Sequence, residues 1–454
     1  MVKIGIIGTG YVGLVHGAVL SSYGFAVTCM DVDAEKIGRL SEGRSPLYEP
    51  GLDELLTGGI DAGTLSFTTS AEEAIQSSDV IFIAVGTPSR EDGSADLSYV
   101  REATRQIGLY ANGYKVVVCK STMPVGTCRS IAGELNRSLE ARHASFRIDV
   151  ASNPEFLRQG KAVSDSLFPL RVVIGTESDE AKRMLQTIYE GHIRRKVPFL
   201  YTNPETAEMI KYASNAFLAV KISFVNELAL LSEKVGANIE DIAFGMGLDD
   251  RISPHFLQAG PGYGGSCFPK DTQALVDVSR KHGEELYIVR AAIAANEKQK
   301  ARMVAKISGA LSPGGMLHGK TIAVWGLSFK PETDDIRNAP SYDIIDGLLA
   351  KGAAVNAYCP QGMKQAKRLW TDINGGINYC ESEADSARNA DAIVIVTEWE
   401  QFRACGWERI AASMRGGFLF DLRNMFAEQA GVRRLFDYYA VGSNEPAYTL
   451  EETL

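Results

Sequence analysis

The sequence predicts an α/β protein: two doubly wound domains joined by a central region of long helices. Three observations carry this. A short β-branched run, Lys3 to Ile7, leads into glycines and then a helical segment. A similar run, Lys320 to Gly326, opens a second half of the same plan. Between them, Pro204 to Val235 reads as helix without interruption. At 454 residues the chain exceeds what one hydrophobic core organises, and domains are expected over 1–200, 201–310 and 311–454.

Lys3 to Ile7 is followed by Gly8-Thr9-Gly10-Tyr11-Val12-Gly13 and the apolar segment Leu14 to Leu20. G-x-G-x-x-G between a strand and a helix is the dinucleotide-binding pattern of Rossmann-like domains: the glycines permit a tight turn and close approach of a pyrophosphate. Gly8, Gly10, Tyr11, Val12 and Gly13 are its candidate contacts. The next run, Phe25 to Met30, ends at Asp31, where a carboxylate can bind the adenosine ribose and, if uncompensated, repels a 2′-phosphate, so NAD is expected rather than NADP. Lys36 is either a solvated charge or a second adenosine contact. Strands at Asp79 to Val85, Lys115 to Cys119 and Ile148 to Ser152 alternate with helices such as Leu97 to Tyr110. Ligands of such a sheet sit beyond the carboxyl ends of its strands, which places Thr87, Thr122 and Glu155 near a nicotinamide. The bland alternatives are helix caps for the threonines and a surface carboxylate for Glu155.

The helix from Pro204 to Val235 is apolar on more than one face, which predicts burial between domains or subunits and a homodimer built on it. Lys211 and Asn215 share one face of it, although such a pair is more often surface than catalytic. After a second short helical stretch comes Gly260-Pro-Gly-Tyr-Gly-Gly-Ser-Cys-Phe-Pro-Lys-Asp271. Cys267 follows four glycines and heads a helix continuing to Val278, whose N-terminus favours a thiolate. A lone cysteine is more often a small buried hydrophobe, and Lys270 and Asp271 could be ordinary first-turn residues. Another long helix is expected from Leu286 to about Ile307.

In the C-terminal half, Lys320 to Gly326 resembles Lys3 to Gly8, and Asp391 to Thr397 resembles Asp79 to Val85. The glycine fingerprint is replaced by Leu327-Ser328-Phe329-Lys330-Pro331. Lys330 and Arg337, with Arg423 after the strand Phe418 to Leu422, lie where a nucleotide diphosphate needs its charge neutralised, or are ordinary exposed charges.

A net charge of -9 argues against nucleic acid or an acidic membrane as partner. Seven scattered cysteines without C-x-x-C suit a reduced cytoplasm. The first residues lack a signal peptide's pattern, and no stretch is read as approaching the roughly 20 apolar residues of a membrane helix, so a cytoplasmic protein is expected. The six histidines are scattered and H-E-x-x-H is absent, so no metal is expected. A hydride-accepting cofactor paired with a sulfur nucleophile suggests oxidation through a thiohemiacetal to a thioester, with a carboxylate as product.

GTGYVG, STMPVGT, NPEFL, the Lys211 to Asn215 helix, GPGYGGSCFPKD and WGLSFKPETDDIR, in that order over nearly the whole chain, resemble the UDP-glucose/GDP-mannose dehydrogenases. The resemblance implies an NAD domain, a helical dimerisation region and a UDP-binding domain. It implies two consecutive oxidations of a sugar C6 alcohol, UDP-glucose being the expected substrate. By it, Cys267 is the nucleophile, Lys211 and Asn215 stabilise charge on the C6 oxygen, and Thr122, Glu155 and Asp271 order water and handle protons. Asp31, Lys36, Thr87, Thr122, Glu155, Lys270 and Arg337 fall at cofactor positions. Glu155, Phe156, Leu157, Lys211, Asn215, Phe256, Leu257, Gln258, Ala259, Gly260, Gly264, Lys330 and Arg423 fall at substrate positions, and Arg251 reaches the neighbouring subunit's substrate. Rival readings are the same chemistry on GDP-mannose or a UDP-N-acetylhexosamine, or a silent NAD-binding sensor. The chain departs from the family at Arg158-Gln159-Gly160, at Phe168-Pro169-Leu170-Arg171, and at Ser253-Pro254, where glycine is common.

Overall fold

The structure, a computed structural model, describes residues 2–443. Met1 of the expected first domain and residues 444–454 of the third lie outside the described residues. The chain forms two compact units, one of Met1–Ser214 with Gln273–Glu284 and one of Asn215–Thr272 with Glu285–Leu454.

The first unit is built on eight strands: β1 (Lys3–Ile7), β2 (Ala26–Met30), β3 (Leu65–Thr68), β4 (Val80–Ile83), β5 (Lys115–Cys119), β6 (Ile148–Ser152), β7 (Val172–Gly175) and β8 (Phe199–Thr202), in the order β3-β2-β1-β4-β5-β6-β7-β8. The first six are parallel, and β7 meets β6 antiparallel at Ser152 and Gly175. The sheet is therefore longer by three strands than the five expected: β3 joins it parallel at one edge, and β7 and β8 run against the others. Its central strands are buried on both faces. Ile4, Ile6, Val80, Phe82, Val116 and Val118 point into one core, and Ile7, Ile81, Ile83, Val117 and Cys119 into the other. That period of two, in runs apolar at every position, is what helices on both faces of a parallel sheet require.

The second unit holds β9 (Thr321–Trp325), β10 (Ala354–Tyr358), β11 (Ile377–Tyr379), β12 (Ala392–Ile395), β13 (Phe418–Asp421) and β14 (Asp437–Tyr439), ordered β11-β10-β9-β12-β13-β14. This repeats β3-β2-β1-β4-β5-β6 strand for strand and is parallel throughout, as the sequence similarity of the two halves led us to expect. Trp325 is fully buried against Phe402 and Trp407, each 5.3 Å away, and its indole N–H donates to Ser386 Oγ at 2.8 Å. The polar end is thus satisfied inside an apolar core.

Three long helices, Pro204–Val235, Phe268–Lys281 and Tyr287–Leu311, match the expected ones closely. The first ends at Gly236, whose φ of 74° supplies the left-handed turn of a helix stop. One expectation is corrected: by length and apolar composition alone, Pro204–Val235 is able to cross a bilayer. Glu205, Glu208, Lys211, Asn215, Lys221 and Asn226 all bond to protein groups, as befits a helix inside a folded domain.

Candidate active site

The loop after β1 forms an anion cradle. Gly8 sits at φ 99°, and a Cβ on Gly13 would lie 1.9 Å from the Gly8 carbonyl oxygen, so this crossing of loop and helix excludes side chains. A Cβ on Gly10 would meet nothing within 4 Å. The helix Tyr11–Ser22 starts there without a side-chain cap, and the N–H groups that open such a helix are the donors a pyrophosphate takes. Val12 lies in that first turn, and the Tyr11 hydroxyl accepts from the Gly160 N–H at 2.8 Å.

Asp31, at the end of β2, accepts from the Thr9 N–H at 3.0 Å, the Thr9 hydroxyl at 2.7 Å and Lys36 Nζ at 2.7 Å. Burial works against its charge, yet Lys36 and Thr9 prevail and hold its pKa below the ordinary carboxylate value. Lys36 is thus an ion-pair partner of Asp31, which neither sequence alternative described.

Past β4 and β5, the Thr87 hydroxyl donates to the Thr122 carbonyl at 2.8 Å. Neither threonine starts a helix, so the capping alternative falls. Glu155 is no surface carboxylate. It pairs with Lys211 Nζ at 2.9 Å, with 7% and 5% of the two side chains exposed, and accepts from the Leu157 N–H at 2.6 Å. Burial alone would raise the Glu155 pKa, and Lys211 with the Leu157 N–H bring it below the usual value. The neighbouring Phe156 ring has Lys211 Nζ at 5.5 Å and the Arg171 guanidinium at 3.8 Å, so the departing Phe168 to Arg171 run ends in a stacking contact.

Sequence reasoning passed over Lys120. It is buried, donates to Asn153 Oδ1 at 3.0 Å, and has its pKa brought down to about 8, chiefly by burial. The bond ties the end of β5, before Thr122, to the end of β6, before Glu155. A lysine closing an apolar strand was the available signal.

In the second unit Cys267 is partly exposed, one residue ahead of the helix Phe268–Lys281, with Ser266 Oγ 3.7 Å from its Sγ. One turn into that helix Asp271 is fully buried. It accepts from Asn215 Nδ2 at 2.6 Å and Lys270 Nζ at 2.5 Å, so Asn215, Lys270 and Asp271 form one cluster. Arg337 pairs with Asp335 at 2.6 Å, and that bond raises the guanidinium pKa.

The glycine loop itself is pinned by amides that the sequence reading missed. Asn226 accepts from the Gly260 N–H at 2.8 Å, Gln299 donates to the Gly260 carbonyl at 2.8 Å, and Asn296 bonds both backbone groups of Tyr263. A Cβ on Gly264 would fall 2.1 Å from the Asn338 carbonyl, and Gly260 lies against Arg423. Arg423 in turn donates to the Val396 carbonyl at 2.8 Å and pairs with Glu398 at 3.1 Å. The Lys330 ammonium lies 5.9 Å from the Phe329 ring centre.

Upstream, Leu257 and Ala259 are buried while Gln258 is exposed. Ser253 and Phe256 hold φ of 68° and 64°, and Lys221 binds the carbonyls of Ile252, Ser253 and His255 around that turn. Ser253 thus occupies a left-handed position that glycine fills without strain. Arg251 is 88% exposed and pairs with Asp249. Among the described residues no cluster of histidine, cysteine and carboxylate could hold a metal ion.

A doubly wound sheet with an open glycine cradle and an acid closing β2 defines an NAD-dependent dehydrogenase. Three domain models of one family match the chain in order: its NAD binding domain over residues 2–193, its central domain over 205–298 and its UDP binding domain over 323–428. The chain is 44% identical to a UDP-glucose 6-dehydrogenase of Rhizobium meliloti (strain 1021), over 97% of this chain and 99% of that one. Among solved structures it resembles a UDP-glucose dehydrogenase from the archaeon Pyrobaculum islandicum (36% identity, TM-score 0.87, 98% of each chain). It also resembles a UDP-D-ManNAc dehydrogenase from Pyrococcus horikoshii (29% identity, TM-score 0.84, 97% of this chain and 99% of that one). The chain belongs to the UDP-glucose/GDP-mannose dehydrogenase family, and its cofactor is NAD.

Proposed function

We propose that the protein oxidises the C6 alcohol of UDP-glucose to the carboxylate of UDP-glucuronate in two steps, through a covalent adduct on Cys267. The observation that carries this is a partly exposed cysteine at a helix start, one turn before the fully buried Asp271 with its Asn215 and Lys270 donors. The printed name of the Rhizobium relative supports glucose as the sugar.

Bound NAD supplies the hydride acceptor for both oxidations, two molecules per sugar. Lys211 and Asn215 stabilise negative charge on the C6 oxygen. Cys267 Sγ adds to the aldehyde carbon, forming a thiohemiacetal whose oxidation leaves a thioester. Thr122, Glu155 and Asp271 then order a water and take its proton, so that hydrolysis frees the carboxylate and returns the thiol. Gly8, Gly10, Tyr11, Val12, Gly13, Asp31, Lys36 and Thr87 hold the cofactor, with Lys270 and Arg337. Glu155 to Leu157, Phe256 to Gly260, Gly264, Lys330 and Arg423 hold the UDP-sugar.

The working form is a cytoplasmic homodimer in which Arg251 reaches the partner's substrate. Phe217, Phe224 and Leu231 support it: they repeat every seven residues along Pro204–Val235 and all are exposed, Phe217 by 66%. A UDP-N-acetylhexosamine is the second reading, favoured by the likeness to the Pyrococcus horikoshii enzyme. The test is NADH counted per sugar consumed, on UDP-glucose, GDP-mannose and UDP-N-acetylhexosamines. Two NADH with UDP-glucose preferred is the expected result; preference for another sugar removes the substrate assignment. NAD binding without turnover on any of them would mean a silent sensor.

A further inference from the structure

Glu208 has no part in the chemistry just described, yet it is among the most buried carboxylates of the first unit, 4% exposed. It lies on the helix Pro204–Val235, one turn before Lys211. Its Oε2 accepts from the Gly126 N–H at 2.6 Å and its Oε1 from the Cys128 N–H at 2.8 Å. Among the described residues no cationic side chain pairs with it. These two N–H groups open the helix Thr127–Ala141, which begins at Gly126 with a φ of 90° and no side-chain cap of its own. The carboxylate of a distant helix thus serves as its cap, with charge-assisted bonds at the positive end of the helix.

The loop that leads into this helix carries Thr122. At its other end the Ser121 hydroxyl donates to the Val85 carbonyl at 2.6 Å, and Thr87 holds the Thr122 carbonyl. Glu208 is the far anchor. It ties the Thr122 loop to the helix that bears Lys211, two groups to which the proposed reaction gives different tasks.

We propose that Glu208 is a positioning residue, whose bridge from the Lys211 helix to the Gly126 and Cys128 N–H groups holds the Thr122 loop in place for thioester hydrolysis. The inference rests on the two-step reading above. When the bridge is cut, the long helix keeps its other contacts, including Lys211 with Glu155, and the short loop is the part that moves. Hydrolysis therefore suffers more than the hydride steps, and enzyme accumulates as the Cys267 adduct.

The experiment compares wild type, Glu208→Gln, Glu208→Asp and Arg129→Ala as full-length protein with NAD and UDP-glucose. Gln keeps one acceptor and turns an NH2 toward the second N–H. Arg129→Ala cuts the exposed ion pair with Glu205 at the same junction and controls for a merely structural joint. The expected result is a fall in kcat of about 10- to 100-fold for Glu208→Gln, with both KM values within about threefold. Intact-protein mass spectrometry of quenched steady-state samples then shows most of that variant carrying the sugar adduct, and Arg129→Ala behaves as wild type. If Glu208→Gln is insoluble, Glu208→Asp, whose shorter side chain cannot reach both N–H groups, must show the same adduct. Slow turnover without adduct in the soluble variants, or turnover like wild type, overturns the role. If wild type itself fails to make two NADH per sugar, the two-step reading fails instead.

Discussion

Replacing Lys211 with Met isolates what its partner Glu155 needs. The two charges sit 2.9 Å apart and are buried, so at an effective dielectric near 20 their attraction is about 6 kcal/mol. Part of this is repaid when the ammonium's desolvation disappears, and breaking such a pair costs about 3–5 kcal/mol. The nearby Lys120 still compensates some of the carboxylate's charge, so we take about 3 kcal/mol, which for a unit of this size lowers Tm by about 6–12 °C. The loss depends on pH in a definite direction. In wild type the Glu155 pKa is depressed, so its contribution is present above the unfolded carboxylate value of about 4.3 and is lost only as pH falls through the depressed value. Without Lys211, burial dominates and the pKa rises above that of the unfolded chain. Stability then drains away as pH climbs from about 4.3 to the raised value. The assay is differential scanning calorimetry at pH 5 and pH 8, following the transition of the first unit, because two units need not melt together. Destabilisation should be larger at pH 8 and should be partly relieved there by adding Glu155→Gln. Equal losses at both pH values, or no relief in the double variant, would refute the buried-pair argument.

Cys267→Ala should lower two-step turnover by more than about 1,000-fold while leaving NAD affinity, read by fluorescence titration, within about twofold; a variant still making two NADH per sugar rules out covalent catalysis. Gly13→Ala drives a methyl into the Gly8 carbonyl and should cost about 3 kcal/mol or more in a melt. Gly10→Ala meets open space, so its Tm should match wild type while its NAD Kd rises about tenfold; equal effects of the two would contradict the cradle. Phe224→Asp, in the exposed seven-residue stripe, should give a monomer by sedimentation velocity, and an unchanged dimer would move the interface elsewhere. Ser253→Gly should relieve its left-handed backbone and gain about 1 kcal/mol, seen as a higher midpoint in urea.

How far the sequence could be read depended on whether a feature was local. The β1 run, the glycine turn and Asp31 declare themselves because strand, turn and acid are set by near neighbours. The strands β3, β7 and β8 were missed: each has four residues, and a run that short does not separate itself from loop or helix by periodicity. The Asn215, Lys270 and Asp271 cluster joins residues 56 apart in the chain, which spacing cannot reveal; only the likeness of motifs drew attention to its members. Asn226, Asn296, Gln299 and Lys221 went unread because a lone polar residue on a long helix looks like its solvated side. For Asn226, Asn296 and Gln299 the signal was position on the buried faces of Pro204–Val235 and Tyr287–Leu311, and that is known only after the helices are packed.

The interleaving of the two units bears on how the chain is made. The first unit is continuous to Ser214 but also takes in Gln273–Glu284, where Gln273 packs beside Gly93. A ribosome must therefore add 70 more residues, from 215 to 284, before the amino-terminal unit owns all its parts. At about 5–20 residues per second this is roughly 4–14 s during which an eight-stranded sheet waits for its last helix. Chaperone occupancy on stalled nascent chains should fall only after that helix has left the exit tunnel.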